Sequence, residues 1–168
     1  MSWAKKFFFN FLIDWKYKRK MRISQKCENK LKEYESLQLN AYICPAGVLT
    51  IGWGHTGLVE GKKIELGMTI TKAEAQELFE QDIATVEKPL ANEPFANRLS
   101  QGKWDALVSF IYNVGWGNYK NSTLRKRINE DINHADIPNQ FRRWNKANGK
   151  VLAGLVKRRE WEIEQYLV

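Results

Sequence analysis

Three side chains with complementary chemistry stand close together in the sequence. Glu35 is followed after eight intervening residues by Cys44, and after five more by Thr50. A carboxylic acid can deliver a proton to a leaving oxygen, whereas a thiol or hydroxyl on a turn can hold a water molecule. Hydrolysis of a glycosidic bond needs both actions, a proton for the leaving oxygen and a water for the anomeric carbon. The triplet is therefore a candidate catalytic group.

The segments around the triplet predict a helix followed by a small sheet. Ser24 suits the N-cap of a helix that runs to Glu35, because its hydroxyl can accept a hydrogen bond from the first turn. Residues 39–59 instead form short runs interrupted by proline and glycine, a pattern typical of a β-hairpin or a three-stranded sheet. Glu35 is thus predicted at a helix end, with Cys44 and Thr50 on the turns and strands beyond it.

A glycine-rich run extends the pattern, Thr50-Ile51-Gly52-Trp53-Gly54-His55-Thr56-Gly57. With the triplet, it resembles the catalytic signature of the phage-type lysozymes (endolysins, glycoside hydrolase family 24), where an acid, an aspartate or cysteine and a threonine recur at this spacing. Residues 106–115, 121–124 and 154–160 are similar to later family segments, so the resemblance covers about residues 22–168. Two positions depart from it: Ser36 replaces the usual glycine, and Trp53 the commoner tyrosine.

The resemblance implies a muramidase that hydrolyses the β-1,4 bond between N-acetylmuramic acid and N-acetylglucosamine in bacterial peptidoglycan, for host cell lysis. Glu35 would be the general acid, and Thr50 would position the water. Cys44 could bind that water, act as a base or attack the sugar itself. An inverting single displacement is what the resemblance implies, while the cysteine leaves retention open.

Other residues are expected to support the site. By resemblance, Arg158 pairs with Glu35 and fixes its rotamer, and His55 forms an ion pair with Asp82 that ties the sheet to the following helix. The resemblance also indicates four saccharide contacts: Tyr112, Asn121, Ser122 and Trp144. No cofactor is expected, and no metal site, since the chain has one other histidine and no clustered carboxylates.

Beyond the glycine-rich run, the pattern is almost entirely helical. Residues 71–74 form a capping box that opens a helix, and residues 104–114 are apolar on all sides, as in a helix buried in a domain. A short helix is predicted from Ser122 through Ile132, and a last one over residues 155–167. The predicted fold class is α+β and mostly helical, lysozyme-like, with a small β-sheet lobe, a larger helical lobe and a cleft between them.

The basic charge is concentrated in the first segment. Residues 1–20 hold six basic groups and one acid, a net +5, whereas the other 148 residues hold 21 basic and 18 acidic groups, a net +3. We therefore expect residues 1–21 to form a basic amphipathic N-terminal extension and residues 22–168 the lysozyme domain. Residues 1–20 would either contact a membrane surface or pack on the domain.

Composition limits the partners. The nearly balanced body lacks nucleic-acid-binding motifs, so peptidoglycan, and no nucleic acid, is the expected partner of a monomer. Two cysteines, Cys27 and Cys44, make no disulfide framework, which favours the host cytoplasm before lysis. The alternative is a catalytically weak peptidoglycan-binding module with a membrane-active N-terminal helix, for which Ser36 is the best argument.

Overall fold

The computed structural model describes residues 21–44, 47–147 and 149–168. The predicted N-terminal extension therefore lies outside the described residues, apart from Met21. No helix within the described ranges is long and apolar enough to cross a membrane.

Helices dominate the described residues, and the strands are short. The helices are α1 (Gln25–Glu35), α2 (Lys72–Leu90), α3 (Gln101–Val114), α4 (Trp116–Lys120), α5 (Thr123–Glu130), α6 (Ile137–Arg142) and α7 (Ala153–Tyr166), with a 3-10 turn at Ala96–Arg98. The strands are β1 (Gln38–Ile43), β2 (Leu49–Gly52), β3 (Leu58–Val59), β4 (Lys62–Lys63), β5 (Lys146–Ala147) and β6 (Lys150–Val151). The predicted α+β, mostly helical class is confirmed.

Within the described residues the strands form three antiparallel pairs, β1 with β2, β3 with β4 and β5 with β6. In the first pair Tyr42 lies opposite Thr50, and the register shifts between Gln38 and Tyr42. An isolated bridge from Asn40 to Thr69 joins β1 to the segment before α2. The first two pairs form the small lobe; where a hairpin or a three-stranded sheet was predicted over residues 39–59, the structure has two separate two-stranded sheets that extend to Lys63.

Helix α3 forms the centre of the larger lobe. Its residues from Trp104 to Ile111 are all buried, as the continuous apolar run predicted. The helix packs against α1, α2, α4 and α7. Gly102 allows the close approach to α7, because a Cβ added there would lie 2.3 Å from the carbonyl oxygen of Gln165.

Side-chain caps set where α1 and α2 begin. Ser24 accepts a hydrogen bond from the Cys27 backbone N–H at 3.2 Å, and its own backbone N–H donates to Asp105 of α3 at 3.0 Å. Thr71 and Glu74 form the predicted capping box of α2. Pro89 lies in the last turn of α2, which ends at Leu90. Helix α5 ends at Glu130, two residues before the predicted Ile132.

Lys32 links α1 to both the sheet and α2. Its ammonium lies 4.7 Å from the centre of the Trp53 ring and 5.2 Å from that of Phe79. The same group is 2.6 Å from a carboxylate oxygen of Glu28 and donates to Gln76 of α2. These contacts hold the C-terminal half of α1 at the junction of the two lobes.

Candidate active site

Glu35 is the last residue of α1, and the chain turns sharply after it. The backbone N–H of Ser36 donates to the carbonyl of Lys32 at 3.1 Å, which closes the helix. Ser36 itself takes φ +57° and ψ 145°, a conformation that only glycine adopts readily. This turn sends the chain into β1 and leaves the Glu35 carboxyl at the junction of the lobes.

The predicted contact between Arg158 and Glu35 is present. Arg158 Nη1 of α7 donates to Glu35 Oε1 at 2.6 Å, and Nη2 donates to the Ser109 carbonyl of α3 at 3.0 Å. The Arg158 side chain is 4% exposed, compared with 23% for Glu35. A buried guanidinium that is fixed by a second partner therefore holds one oxygen of a carboxyl that solvent can still reach.

The other carboxyl oxygen faces the bend after β2. A Cβ built on Gly54 would lie 3.4 Å from Glu35 Oε2, and Gly54 has φ +88°. Both the positive φ and the close approach favour glycine at this position. The glycine-rich run thus brings its backbone against Glu35.

Thr50 and Cys44 lie on the two arms of the β1–β2 hairpin. The Thr50 hydroxyl donates to the Val48 carbonyl at 3.0 Å, and the residue is 3% exposed. The backbone N–H of Cys44 donates to that same carbonyl at 2.9 Å. The hairpin therefore joins Cys44 and Thr50 through one shared acceptor.

Tyr42 interacts electrostatically with both Cys44 and Glu35. Desolvation by burial raises the pKa of the Tyr42 phenol, and the negative charges of Cys44 and Glu35 raise it further. Tyr42 is paired with Thr50 across the hairpin. The Tyr42 phenol is therefore close enough to both Cys44 and Glu35 to be affected by their charges.

His55 and Asp82 form the predicted pair. His55 Nδ1 is 3.0 Å from a carboxylate oxygen of Asp82, and Nε2 is 3.3 Å from the Leu58 carbonyl. The hydrogen bond with Asp82 raises the pKa of His55. The ring is buried and ties the bend after β2 to α2, and Gly57 backs onto it so closely that a Cβ there would lie 2.9 Å from His55 Cε1.

The four predicted saccharide contacts fall into two places. Asn121, Ser122 and Trp144 share a groove of about 350 Å³, which is completed by Thr123, Gln140 and Arg143. The Ser122 hydroxyl also caps α5 by accepting from the Arg125 backbone N–H at 3.1 Å.

Tyr112 is in a different groove, of about 240 Å³, whose other lining residues include Gly54, Thr56, Asp82 and Trp116. Its hydroxyl donates to the Trp53 carbonyl at 2.8 Å. This groove has one wall from the bend after β2 and one from the helical lobe. It therefore lies at the lobe junction, beside the Gly54 backbone that faces Glu35.

Sequence reasoning missed two residues behind Arg158. Ser109 and Glu162 are fully buried, and the Ser109 hydroxyl donates to Glu162 Oε1 at 2.7 Å. Glu162 follows Arg158 by four positions, the spacing at which opposite charges meet on a helix. That spacing was a usable signal within residues 154–168.

A larger helical lobe, a small antiparallel lobe and a carboxylic acid at their junction define a lysozyme-like glycosidase. The family model described as phage lysozyme matches residues 32–162, and the chain belongs to this family. Its members' activity makes the protein a glycoside hydrolase that cleaves the β-1,4 linkage between N-acetylmuramic acid and N-acetylglucosamine, as the sequence predicted.

Individual relatives agree with that assignment. The chain is 38% identical over 146 residues to the endolysin of Acyrthosiphon pisum secondary endosymbiont phage 1, covering 84% of this chain and 95% of the relative. It is 36% identical over 147 residues to the endolysin of Salmonella phage P22, covering 88% and 99%. The solved structure of a point mutant of P22 lysozyme superposes with a TM-score of 0.72 at 34% identity, covering 88% of this chain and 99% of that one.

Proposed function

We propose that Glu35 is the general acid of the muramidase and that Cys44 and Thr50 hold the attacking water in an inverting displacement. The observation that carries this proposal is the position of Glu35. Arg158 fixes one of its oxygens at 2.6 Å, and the other oxygen faces Gly54 at the wall of the interlobe groove. A carboxyl with one oxygen fixed and the other beside a residue that lines a groove is placed for proton delivery.

The proposed reaction proceeds in one displacement. Glu35 gives its proton to the glycosidic oxygen as the bond to the anomeric carbon breaks. Water bound by the Cys44 thiolate and the Thr50 hydroxyl attacks that carbon from the opposite face, and its proton passes to the thiolate sulfur, which becomes the thiol. Thr50 donates its own hydrogen to Val48, so its oxygen acts towards the water as an acceptor. Exchange with solvent then restores both groups.

The groove positions support a proposed path for the glycan strand. Tyr112 and Trp116 supply aromatic faces in the groove beside Gly54, and sugar rings stack on such faces. Asn121, Ser122 and Trp144 supply amide, hydroxyl and indole groups in the second groove. We assign both grooves to saccharide binding by a monomeric enzyme, which size-exclusion chromatography with light scattering would test.

Removal of the acidic proton tests the role of Glu35. We expect Glu35→Gln to lower the hydrolysis of purified peptidoglycan by about 10²–10⁴-fold, the usual contribution of general acid catalysis. Glutamine keeps the shape of the side chain and can still contact Arg158, so the circular dichroism spectrum should not change. A variant with the wild-type rate would refute the proposed role of Glu35 as the acid.

Substitutions at Cys44 test how the water is held. We expect Cys44→Ala to lower the rate by about 100-fold and Cys44→Asp to stay within about tenfold of wild type, because a carboxylate can also accept the proton of a water. The measurement is turbidity loss of purified cell wall, with Ile43→Ala, at the preceding residue, as the control. A fully active alanine variant would remove Cys44 from the chemistry.

Product stereochemistry tests the single displacement. Nuclear magnetic resonance of freshly digested peptidoglycan fragments should show the α-anomer released first, since a single displacement inverts the β-linkage. Initial release of the β-anomer would instead make Cys44 the nucleophile of a double displacement.

The membrane contact of residues 1–20 stays a prediction. Six basic groups against one acid should draw this segment to anionic vesicles, and co-sedimentation at low and high salt would measure it. The binding-module alternative is not favoured, since the family and the relatives above are named as lysozymes and endolysins.

A further inference from the structure

A buried group of charges lies behind the acid, where three helices meet. Helix α7 contributes Arg158, Arg159 and Glu162, which we call the arginine–glutamate cluster. Their exposed fractions are 4%, 0% and 0%. Helix α1 presents Glu35 to this cluster and α3 presents Ser109. The cluster thus connects the acid to the centre of the helical lobe.

Each nitrogen of Arg158 faces a different partner. Nη1 meets Glu35 at 2.6 Å, Nη2 meets the Ser109 carbonyl at 3.0 Å, and Nε is 3.4 Å from Glu162 Oε1. A planar guanidinium held on several sides cannot rotate without losing a contact. The direction of the bond to Glu35 therefore depends on the groups on the other sides.

Glu162 has buried partners of its own. Its Oε1 accepts from the Ser109 hydroxyl at 2.7 Å and from Arg159 Nη2 at 3.2 Å, while Oε2 is 2.9 Å from Arg159 Nε. Arg159 is held in turn by Asn113 at 2.8 Å. Ser109 and Arg159 therefore hold the Glu162 carboxylate in place independently of Arg158.

Stability alone does not account for burying these charges. Burial raises the pKa of Glu162 and lowers the pKa of Arg159 to about 10, so desolvation opposes both charged forms. Buried ion pairs often stabilise a fold no better than apolar side chains of similar volume. A role in orienting Glu35 fits the arrangement better, because Arg158 of the cluster contacts the Glu35 carboxyl at the lobe junction.

We propose that Glu162 is a positioning residue for glycosidic cleavage, which holds Arg158 in the orientation that keeps Glu35 directed at the groove. The inference rests on the proposed role of Glu35 as the acid. Glu162 contacts no substrate and acts through Arg158. Its negative charge also balances the two arginines, so that the positive charge beside Glu35 is limited.

The charged and titratable groups around Glu162 come from two helices. Arg158 and Arg159 share its own helix, and the thiol of Cys27 and the phenol of Tyr34 approach from α1. Burial raises the pKa of Cys27 far above its ordinary value and that of Tyr34 to about 12, so both stay neutral in the assay range. Replacement of Glu162 by a neutral residue therefore leaves the positive charges of Arg158 and Arg159 without the carboxylate that balances them.

The test compares kcat, KM and the pH profile on soluble peptidoglycan fragments. We expect Glu162→Gln to lower kcat by about 10–100-fold, as misplacement of a catalytic group does, and to keep KM within about twofold. The alkaline limb of the profile should move to lower pH, because the unbalanced arginines favour the ionised acid. Glu162→Asp, which keeps the charge, should restore the position of that limb.

Glu93→Gln is the matched control. The Glu93 side chain is 5% exposed and lies 3.0 Å from Arg125 Nε, so this variant makes the same chemical change at a buried carboxylate whose ion pair does not include Glu35. It should lower the melting temperature and leave kcat and the pH profile unchanged. A folded Glu162→Gln with the kcat and profile of this control would overturn the proposal.

If Glu162→Gln fails to fold, a second variant tests the proposal. Ser109→Ala removes one donor to Glu162 and keeps the backbone carbonyl that binds Arg158, so kcat should fall about 3–10-fold with the same shift of the profile. Wild-type kcat and profile would overturn the proposal. Full activity of Glu35→Gln would instead refute the proposed function. Wild-type kcat and pH profile in Glu162→Gln and Ser109→Ala, together with an inactive Glu35→Gln, would refute this inference alone.

Discussion

Ser36 is held in a backbone conformation that residues with a Cβ rarely adopt, with φ +57° and ψ 145°. The substitution Ser36→Gly should stabilise the protein by about 1 kcal/mol, since relief of about 1–3 kcal/mol of strain outweighs the extra entropy that glycine loses on folding. Urea unfolding would measure the change.

Ser100→Gly is the control for Ser36. Ser100 has φ −69° and caps α3 by accepting from the Lys103 N–H, so its replacement should slightly lower stability. A loss of stability for Ser36→Gly as large as for Ser100→Gly would show that the turn carries no strain. The departure from the family at Ser36 is thus predicted to cost stability rather than to abolish the site.

His55 and Asp82 connect the bend after β2 to α2. Since the folded-state pKa of His55 is raised, its protonated form stabilises the fold fully below the ordinary value of about 6.5, and this stabilisation is lost as the pH rises through the higher folded value. The stability gap between wild type and Asp82→Asn should therefore be largest near pH 5.5, at about 1–2 kcal/mol.

The gap should narrow as the pH rises through the raised pKa of His55 in the wild type. Thermal melts across pH 5.5–9 would show this, and Glu80→Gln, on the same helix, is the control for a lost surface charge. A gap that is constant or widens with pH would show that the protonated histidine contributes nothing through Asp82.

Strong local signals made some elements predictable. The capping box of Thr71 and Glu74 located the start of α2, and the apolar run from Trp104 located the buried α3. The strands β5 and β6 have two residues each, too few to show a period of two. Helix α4 has five residues and no side-chain cap, so it carried no starting signal.

The candidate site was predictable in part for the same reason. Glu35, Cys44 and Thr50 lie within 16 consecutive residues, so their spacing could be seen directly. The ion pair with Arg158 spans 123 positions and was reached only through the resemblance to a family. Ser109 was missed, because a contact between side chains of different helices leaves no local pattern. Glu162 was missed although its spacing of four positions from Arg158 on the same helix could have indicated it.

The central helix α3 and helix α7 pack without space for a side chain at Gly102. In an exposed helix, alanine would stabilise by about 1 kcal/mol relative to glycine. Here a Cβ would lie 2.3 Å from the Gln165 carbonyl oxygen. We expect Gly102→Ala to destabilise the protein by about 1–3 kcal/mol, because a backbone must shift to admit the methyl group.

Gly154→Ala is the matched control, since Gly154 lies in α7 and a Cβ there meets nothing within 4 Å. This variant should hold or slightly raise the melting temperature. Equal effects of the two substitutions in denaturant unfolding would show that the helices tolerate a wider separation.

The long separation of Glu35 and Arg158 has a consequence for the timing of synthesis. A ribosome adding about 5–20 residues per second needs roughly 6–25 s to make the 123 positions between them. Until then, a nascent chain contains the acid without the arginine that orients it, and α3 lacks the helix that covers it. On the proposed role of Glu35, lytic activity therefore begins only after residue 158 has been synthesised.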